Sequence, residues 1–169
     1  VTAVATSPIL TASTAIGDED TAIALDINTA LADTDGSESL TITISGVPEG
    51  ARLSAGSEND DGTWTLSADQ VEGLTIRPPH DSGDDFTLTI TATSTEATGD
   101  SSTTTVSLPV TVNAVADAPQ LRIDSAAGSE DRAIALDISS TLTDTDGSES
   151  LIITISGVPE GARLSAGSE

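Results

Sequence analysis

The stretch "DTDGSESLTITISGVPEG", residues 33–50, joins an acidic loop, an alternating run and a turn. From Leu40 to Ser45 apolar residues alternate with Thr or Ser, the two-residue period of a half-buried strand, and the β-branched side chains favour extended backbone. "VPEG" then reads as a tight turn. The stretch returns at 144–161, 111 positions further on, with the single change of Thr41 to Ile152. That offset aligns everything around it without a gap: Val1 with Val112, Pro8 with Pro119, Gly17 with Gly128, Glu19 with Glu130 and Glu58 with Glu169. A repeat of this length is the size of an independent domain. We therefore expect a complete β-sandwich repeat over 1–114, a cation-binding linker over 115–119, and over 120–169 the N-terminal half of a second, truncated repeat. The second is expected to be the less stable unless another chain or further residues complete it.

The same two-residue period recurs in "FTLTITATST" (86–95) and "TTTVSLPVTV" (103–112), whereas helical spacing is nearly absent. It predicts strands near Ile9–Ser13, Thr21–Ile27, Leu40–Ser45, Arg52–Ala55, Thr63–Ser67, Leu74–Arg77, Phe86–Thr95 and Thr103–Val112, with one helical turn at 68–72. Seven or eight short strands per hundred residues, separated by turns such as "DDGTW", describe an all-β protein. The expected form is a tandemly repeated two-sheet Greek-key sandwich of immunoglobulin or cadherin type, with a barrel as the alternative. Trp64 and Phe86 are the only aromatic residues, and both are expected inside.

Composition bounds the function. Asp and Glu number 28 against five basic residues, all of them Arg, for a formal charge of −23. Nucleic acid is excluded as a partner, since a phosphate backbone calls for cationic contacts. No apolar run is long enough to insert into a membrane as a helix. The only His, His80, lies beside Asp81 with no nucleophile placed to complete a triad, and the paired carboxylates lack an aromatic sugar platform. The expectation is a protein without enzymatic activity. Uniform surface acidity would read as adaptation to high salt; acids gathered at the ends of modules would read as metal binding.

In a sandwich of the expected topology, Glu19 and Asp20 lie at the end where the last strand leaves for the next module. "HDSGDD" (80–85), with Asp81, Asp84 and Asp85, lies there too. Asp117 sits in the linker "VNAVADAP" (112–119), and Asp144, Asp146 and Glu149 belong to the loop at the facing end of the following module. Asp33, Asp35 and Glu38 form the equivalent half-site of the first module. Oxygen-only clusters of this kind suit Ca²⁺, which takes six to eight oxygens in irregular geometry. In D-x-D-G the two carboxylates can point inward from one loop while Gly permits the turn. The opposing reading is an ordinary Asx turn.

"GDEDTAIALDI", "DTDGSESLTITISGVPEGARLSAG", "DGTWTLSADQVEGLTIRPP" and "VNAVADAP" together resemble the repeat of the extender regions of giant bacterial RTX adhesins, across both copies. The resemblance implies cadherin-like modules straightened by Ca²⁺ at their junctions. It implies an extracellular, bacterial cell-surface stalk exported by type I secretion, which holds a distal binding domain for cell adhesion and biofilm formation. Its partners are the neighbouring repeats of the same chain; the ligand of the parent protein is not encoded here. One departure stands out: Thr6 and Ser7 occupy the positions of Asp117 and Ala118, which implies either weaker Ca²⁺ binding where the chain enters the first module or a different upstream neighbour. The rival function is a Ca²⁺-dependent module that binds carbohydrate or ice. A regular outward array of Thr on one sheet would favour it.

Overall fold

The structure, a computed structural model, describes residues 3–168. The chain folds as two units, Val1–Ala116 and Asp117–Glu169.

Unit 1 is nearly all β. Strands β1 (Ile9–Ala12) and β4 (Ile27–Ala30) form an antiparallel pair, while β2 (Ala15–Asp18) lies parallel to the long β11 (Ser101–Asn113). With β5 (Glu38–Ser45), β7 (Ser57–Glu58), β8 (Trp64–Ser67) and β10 (Phe86–Glu96), β2 and β11 build a six-stranded sheet of order β2-β11-β10-β5-β8-β7. A second, three-stranded sheet runs β3-β9-β6, from β3 (Ile23–Ala24), β9 (Thr75–Arg77) and β6 (Arg52–Leu53). The expected helical turn is α1 (Ala68–Val71), with Ser67 and Gln70 forming its capping box.

Alternation does the folding work. On β5 and β10 the inward residues Ile42, Ile44, Leu88, Ile90 and Ala92 are fully buried. Leu108, Val110 and Trp64 extend this face on β11 and β8 of the same sheet, and Ile23, Leu25 and Ile76 belong to the same core cluster. Each fully buried Ile or Leu contributes about 1.5–3 kcal/mol, so a core with almost no aromatic residues is sufficient. Phe86 is only partly buried and packs against the margin of this core. Gly17 is required where β2 meets β3: a Cβ there would lie 2.6 Å from Ile23 Cγ1. Both "VPEG" turns close as read, with the amides of Ala51 and Ala162 donating to the carbonyls of Pro48 and Pro159 at 3.0 Å.

Two strands escape the sequence reading. β2 has no alternating run of its own and exists through its parallel ladder with β11, and the two-residue β7 is held by β8. The run expected as one strand over 21–27 is divided between β3 and β4, which pair with different neighbours.

Unit 2 forms β12 (Gln120–Ile123) and β13 (Ile138–Thr141), antiparallel counterparts of β1 and β4. Residues 151–156, the sequence equivalent of most of β5, form no strand, and the described residues contain no second copy of β8 or β10 beside them. Its would-be core is open. Ile153 and Ile155 are 51% and 44% exposed, where their counterparts Ile42 and Ile44 are fully buried.

Candidate functional site

Acidic residues gather at the two ends of unit 1 and in the loops of unit 2. At the end where β11 leaves, Glu19 follows β2 and is held by its own amide on Asn113 O at 3.0 Å. Its Oε1 accepts the Val115 N–H at 2.6 Å, while its Oε2 is buried with no hydrogen-bond partner. Next to it, Asp20 adopts the left-handed region at φ 56°. Its carbonyl receives the Arg77 guanidinium, and its Oδ1 accepts the Asp81 N–H at 3.2 Å. His80 Nδ1 lies 2.5 Å from Asp81 Oδ1 and 3.7 Å from Asp20 Oδ1, so ligand atoms of Asp20, His80 and Asp81 share a space of 4.8 Å. Asp85 is committed to structure, accepting the Val112 N–H at 2.8 Å, and Asp84 is exposed.

The opposite end of unit 1 is built on β5 and β10. Glu38 opens β5 and stands directly across the ladder from Glu96, the last residue of β10. Carboxylate oxygens of Asp33, Glu38 and Glu96 lie within 4.8 Å of one another. Glu38 Oε1 accepts the Thr6 N–H at 2.6 Å, and the Oε2 atoms of both glutamates are buried without a partner. Asp35 is not one of these three. Its Oδ1 accepts the amide and hydroxyl of Ser37, and these two hydrogen bonds hold its carboxyl below the ordinary aspartate range.

In unit 2 the loop 144–149 repeats the pattern. Asp144 Oδ1 accepts the Asp146 N–H at 2.8 Å, and Asp146 Oδ1 accepts that of Ser148 at 2.6 Å. Glu149 Oε1 accepts the Asp117 N–H at 2.5 Å, and again Oε2 is buried and unpartnered. Both D-x-D-G-S loops are therefore nested Asx turns, and turn formation alone explains one oxygen of each Asp.

What turn formation does not explain is the glutamates. Glu19, Glu38 and Glu149 each place one oxygen on an N–H of a segment that enters or leaves a module. Each leaves the other buried. A buried carboxylate oxygen without a partner is costly, and like charges opposed across a ladder are destabilising. Cationic side chains give no relief: among the described residues the ion pairs are those of His80 with Asp20 and Asp81. The clustered ligand atoms are all oxygen apart from those of His80, and each group could hold a metal ion. Glu96 was missed in the sequence because it belongs to no acidic motif. Its signal is positional: inward residues of β10 run Leu88, Ile90, Ala92, Ser94, Glu96, turning from apolar to polar at one end.

The outward face of the six-stranded sheet is of a different kind. Thr105, Thr91, Thr43 and Thr65 stand in register across four adjacent strands, and the outward positions of β5, β8 and β10 carry only Thr or Ser. Thr91 and Thr105 join hydroxyls at 3.1 Å.

A scan of protein-family models and searches of curated proteins and of solved structures find no significant match to the chain. No helix among the described residues is long and apolar enough to cross a membrane.

Proposed function

We propose that this chain is a calcium-stiffened spacer from an extracellular bacterial adhesin: tandem immunoglobulin- or cadherin-like sandwiches without enzymatic activity, whose connecting segments are fastened by Ca²⁺. The observation that carries this reading is the repeated double use of glutamate. Glu38 and Glu149 are the same residue of two successive modules, and both clamp an entering backbone amide while leaving a buried oxygen for a cation. In this reading Glu19, Asp20 and Asp81 serve the exit of one module, and Asp117, Asp144, Asp146 and Glu149 the entry of the next. Asp33 and Glu38 serve the entry of the first, and Asp84 and Asp85 lie behind the exit group. Extracellular Ca²⁺ modules bind with dissociation constants of about 10⁻⁴ to 10⁻³ M. At ten to a hundred times that concentration each site adds roughly 1.4–2.7 kcal/mol to the folded state. The gain is absent in a Ca²⁺-poor cytosol.

Small-angle scattering tests the spacer directly. The chain is expected to lengthen when Ca²⁺ is added and to shorten when it is chelated; an unchanged profile refutes stiffening.

A second reading is favoured by one observation, the Thr rows on the outward sheet face: a module that binds an ordered polar surface, carbohydrate or ice. Thermal hysteresis and glycan-array binding measure it, and loss on Thr43→Lys and Thr91→Lys would assign it to this face.

A further inference from the structure

The end of unit 1 where the chain enters holds more than the half-site that "DTDGSE" supplies. β10 keeps its inward alternation to its last residue, so Glu96, 4% exposed, is delivered to the margin of the core opposite Glu38, 9% exposed. Glu96 is anchored by its main chain: its amide donates to Asp100 O at 2.8 Å, and its carbonyl receives the Gly99 amide at 2.8 Å, which closes the β10–β11 hairpin. The carboxylate is thus fixed in place by the hairpin, and its Oε2, like that of Glu38, is buried without a partner beside Asp33.

The same end grips the entering segment. The Ala5 amide donates to Asp100 Oδ2 at 2.9 Å and the Thr6 amide to Glu38 Oε1. Ser94 Oγ donates to the Thr6 carbonyl, Ser7 and Ser102 pair hydroxyls at 2.7 Å, and Thr104 Oγ1 donates to Pro8 O at 2.7 Å. Every one of these groups belongs to unit 1.

We propose that Glu96 completes, with Asp33 and Glu38, a Ca²⁺ site contained within a single module, and that its occupancy fastens the entering segment Ala5–Pro8. This rests on reading the module ends as cation sites. It goes beyond that reading in needing no neighbouring module and no Asp at position 6. The buried, unpartnered oxygens of two opposed glutamates point to a bound cation independently of the acidity of the loop. Glu38 is the mechanical link, with one oxygen for the ion and the other for Thr6.

The test uses the full chain. Calcium titration calorimetry of the wild type, Glu96→Gln and Glu19→Gln is combined with amide hydrogen exchange at Ala5 and Thr6, with Ca²⁺ and with chelator. The expected result is that Glu96→Gln loses one binding event or weakens it by about tenfold or more, and abolishes the Ca²⁺-dependent protection of Thr6. Glu19→Gln is expected to leave that protection intact. A merely structural role for Glu96 would lower the melting temperature in both buffers. The proposal instead requires Glu96→Gln to melt above the wild type in chelator, where the opposed charges are relieved, and below it in Ca²⁺. Ca²⁺ binding by the wild type that Glu96→Gln leaves unchanged overturns this site alone, whereas a wild type that binds no Ca²⁺ overturns it together with the spacer reading. Should Glu96→Gln fail to fold, exchange in the wild type still decides, since Thr6 protection indifferent to Ca²⁺ contradicts the proposal.

Discussion

Glu38 and Glu149, 111 positions apart, make the same bond in two separate units: Oε1 of each accepts an amide of its entering segment, from Thr6 at 2.6 Å and from Asp117 at 2.5 Å. The bond survives the change of Thr6 to Asp117, because the donor is backbone. Side-chain identity at that position therefore does not decide whether the segment docks. It adds a carboxylate in the second copy and none in the first, where Glu96 stands ready.

The repeat makes matched mutations informative, since Trp64 lies only in unit 1 and its fluorescence follows that unit alone. Gly17→Ala puts a methyl group 2.6 Å from Ile23 Cγ1, inside a packed core. It is expected to cost about 1–3 kcal/mol and to lower the Trp64 melting transition. Gly128→Ala makes the same 2.6 Å approach to Ile134, but Ile134 is 45% exposed and has room to turn aside. That variant should leave the Trp64 transition where it was.

Ile44→Ala and Ile155→Ala form a second pair. Ile44 is fully buried between β10 and β8, so truncation should cost about 2–5 kcal/mol through lost burial and the cavity left behind. Ile155 occupies the equivalent place with 44% of its surface open, and its truncation should cost far less. Urea denaturation followed by circular dichroism checks both; equal losses would contradict the open core of unit 2.

Acid titration separates the Asx turns from ordinary surface acids. Hydrogen bonds from Ser37 and Thr63 hold Asp35 and Asp61 below the usual aspartate value. A depressed folded value means that these bonds favour the fold above the unfolded pKa and that their contribution is lost as pH falls through the folded one. Carboxyl-carbon NMR should place both midpoints below that of an ordinary exposed aspartate. Ser37→Ala should return Asp35 toward that value while leaving Asp61 unmoved.

How far the sequence could be read depends on where each signal resides. β5, β10 and β11 were legible because their alternation is intrinsic to each strand. β2 was not, since "AIGD" carries no period and becomes a strand through the parallel ladder with β11. The acidic loops announced themselves as motifs, and one oxygen of Asp35 is taken by Ser37, whereas Glu96, which no motif marks, is the residue found beside Asp33 and Glu38. Spacing along the chain identifies loops rich in oxygen. Which oxygens meet is decided by strand register, and the pairing of Glu38 with Glu96 across β5 and β10 is a property of the folded sheet. Asp20 and Asp81 illustrate the same point, brought together from positions 61 apart, where the Asp81 amide donates to the Asp20 carboxylate.

The central claim is that the buried carboxylate oxygens at the ends of the modules are there for Ca²⁺. It is tested most directly by the Trp64 melting curve of the whole chain, recorded once in millimolar Ca²⁺ and once in excess chelator. At roughly 1.4–2.7 kcal/mol for each occupied site, the transition should rise by about 5–20 °C per site. Superimposable curves in the two buffers would contradict the account.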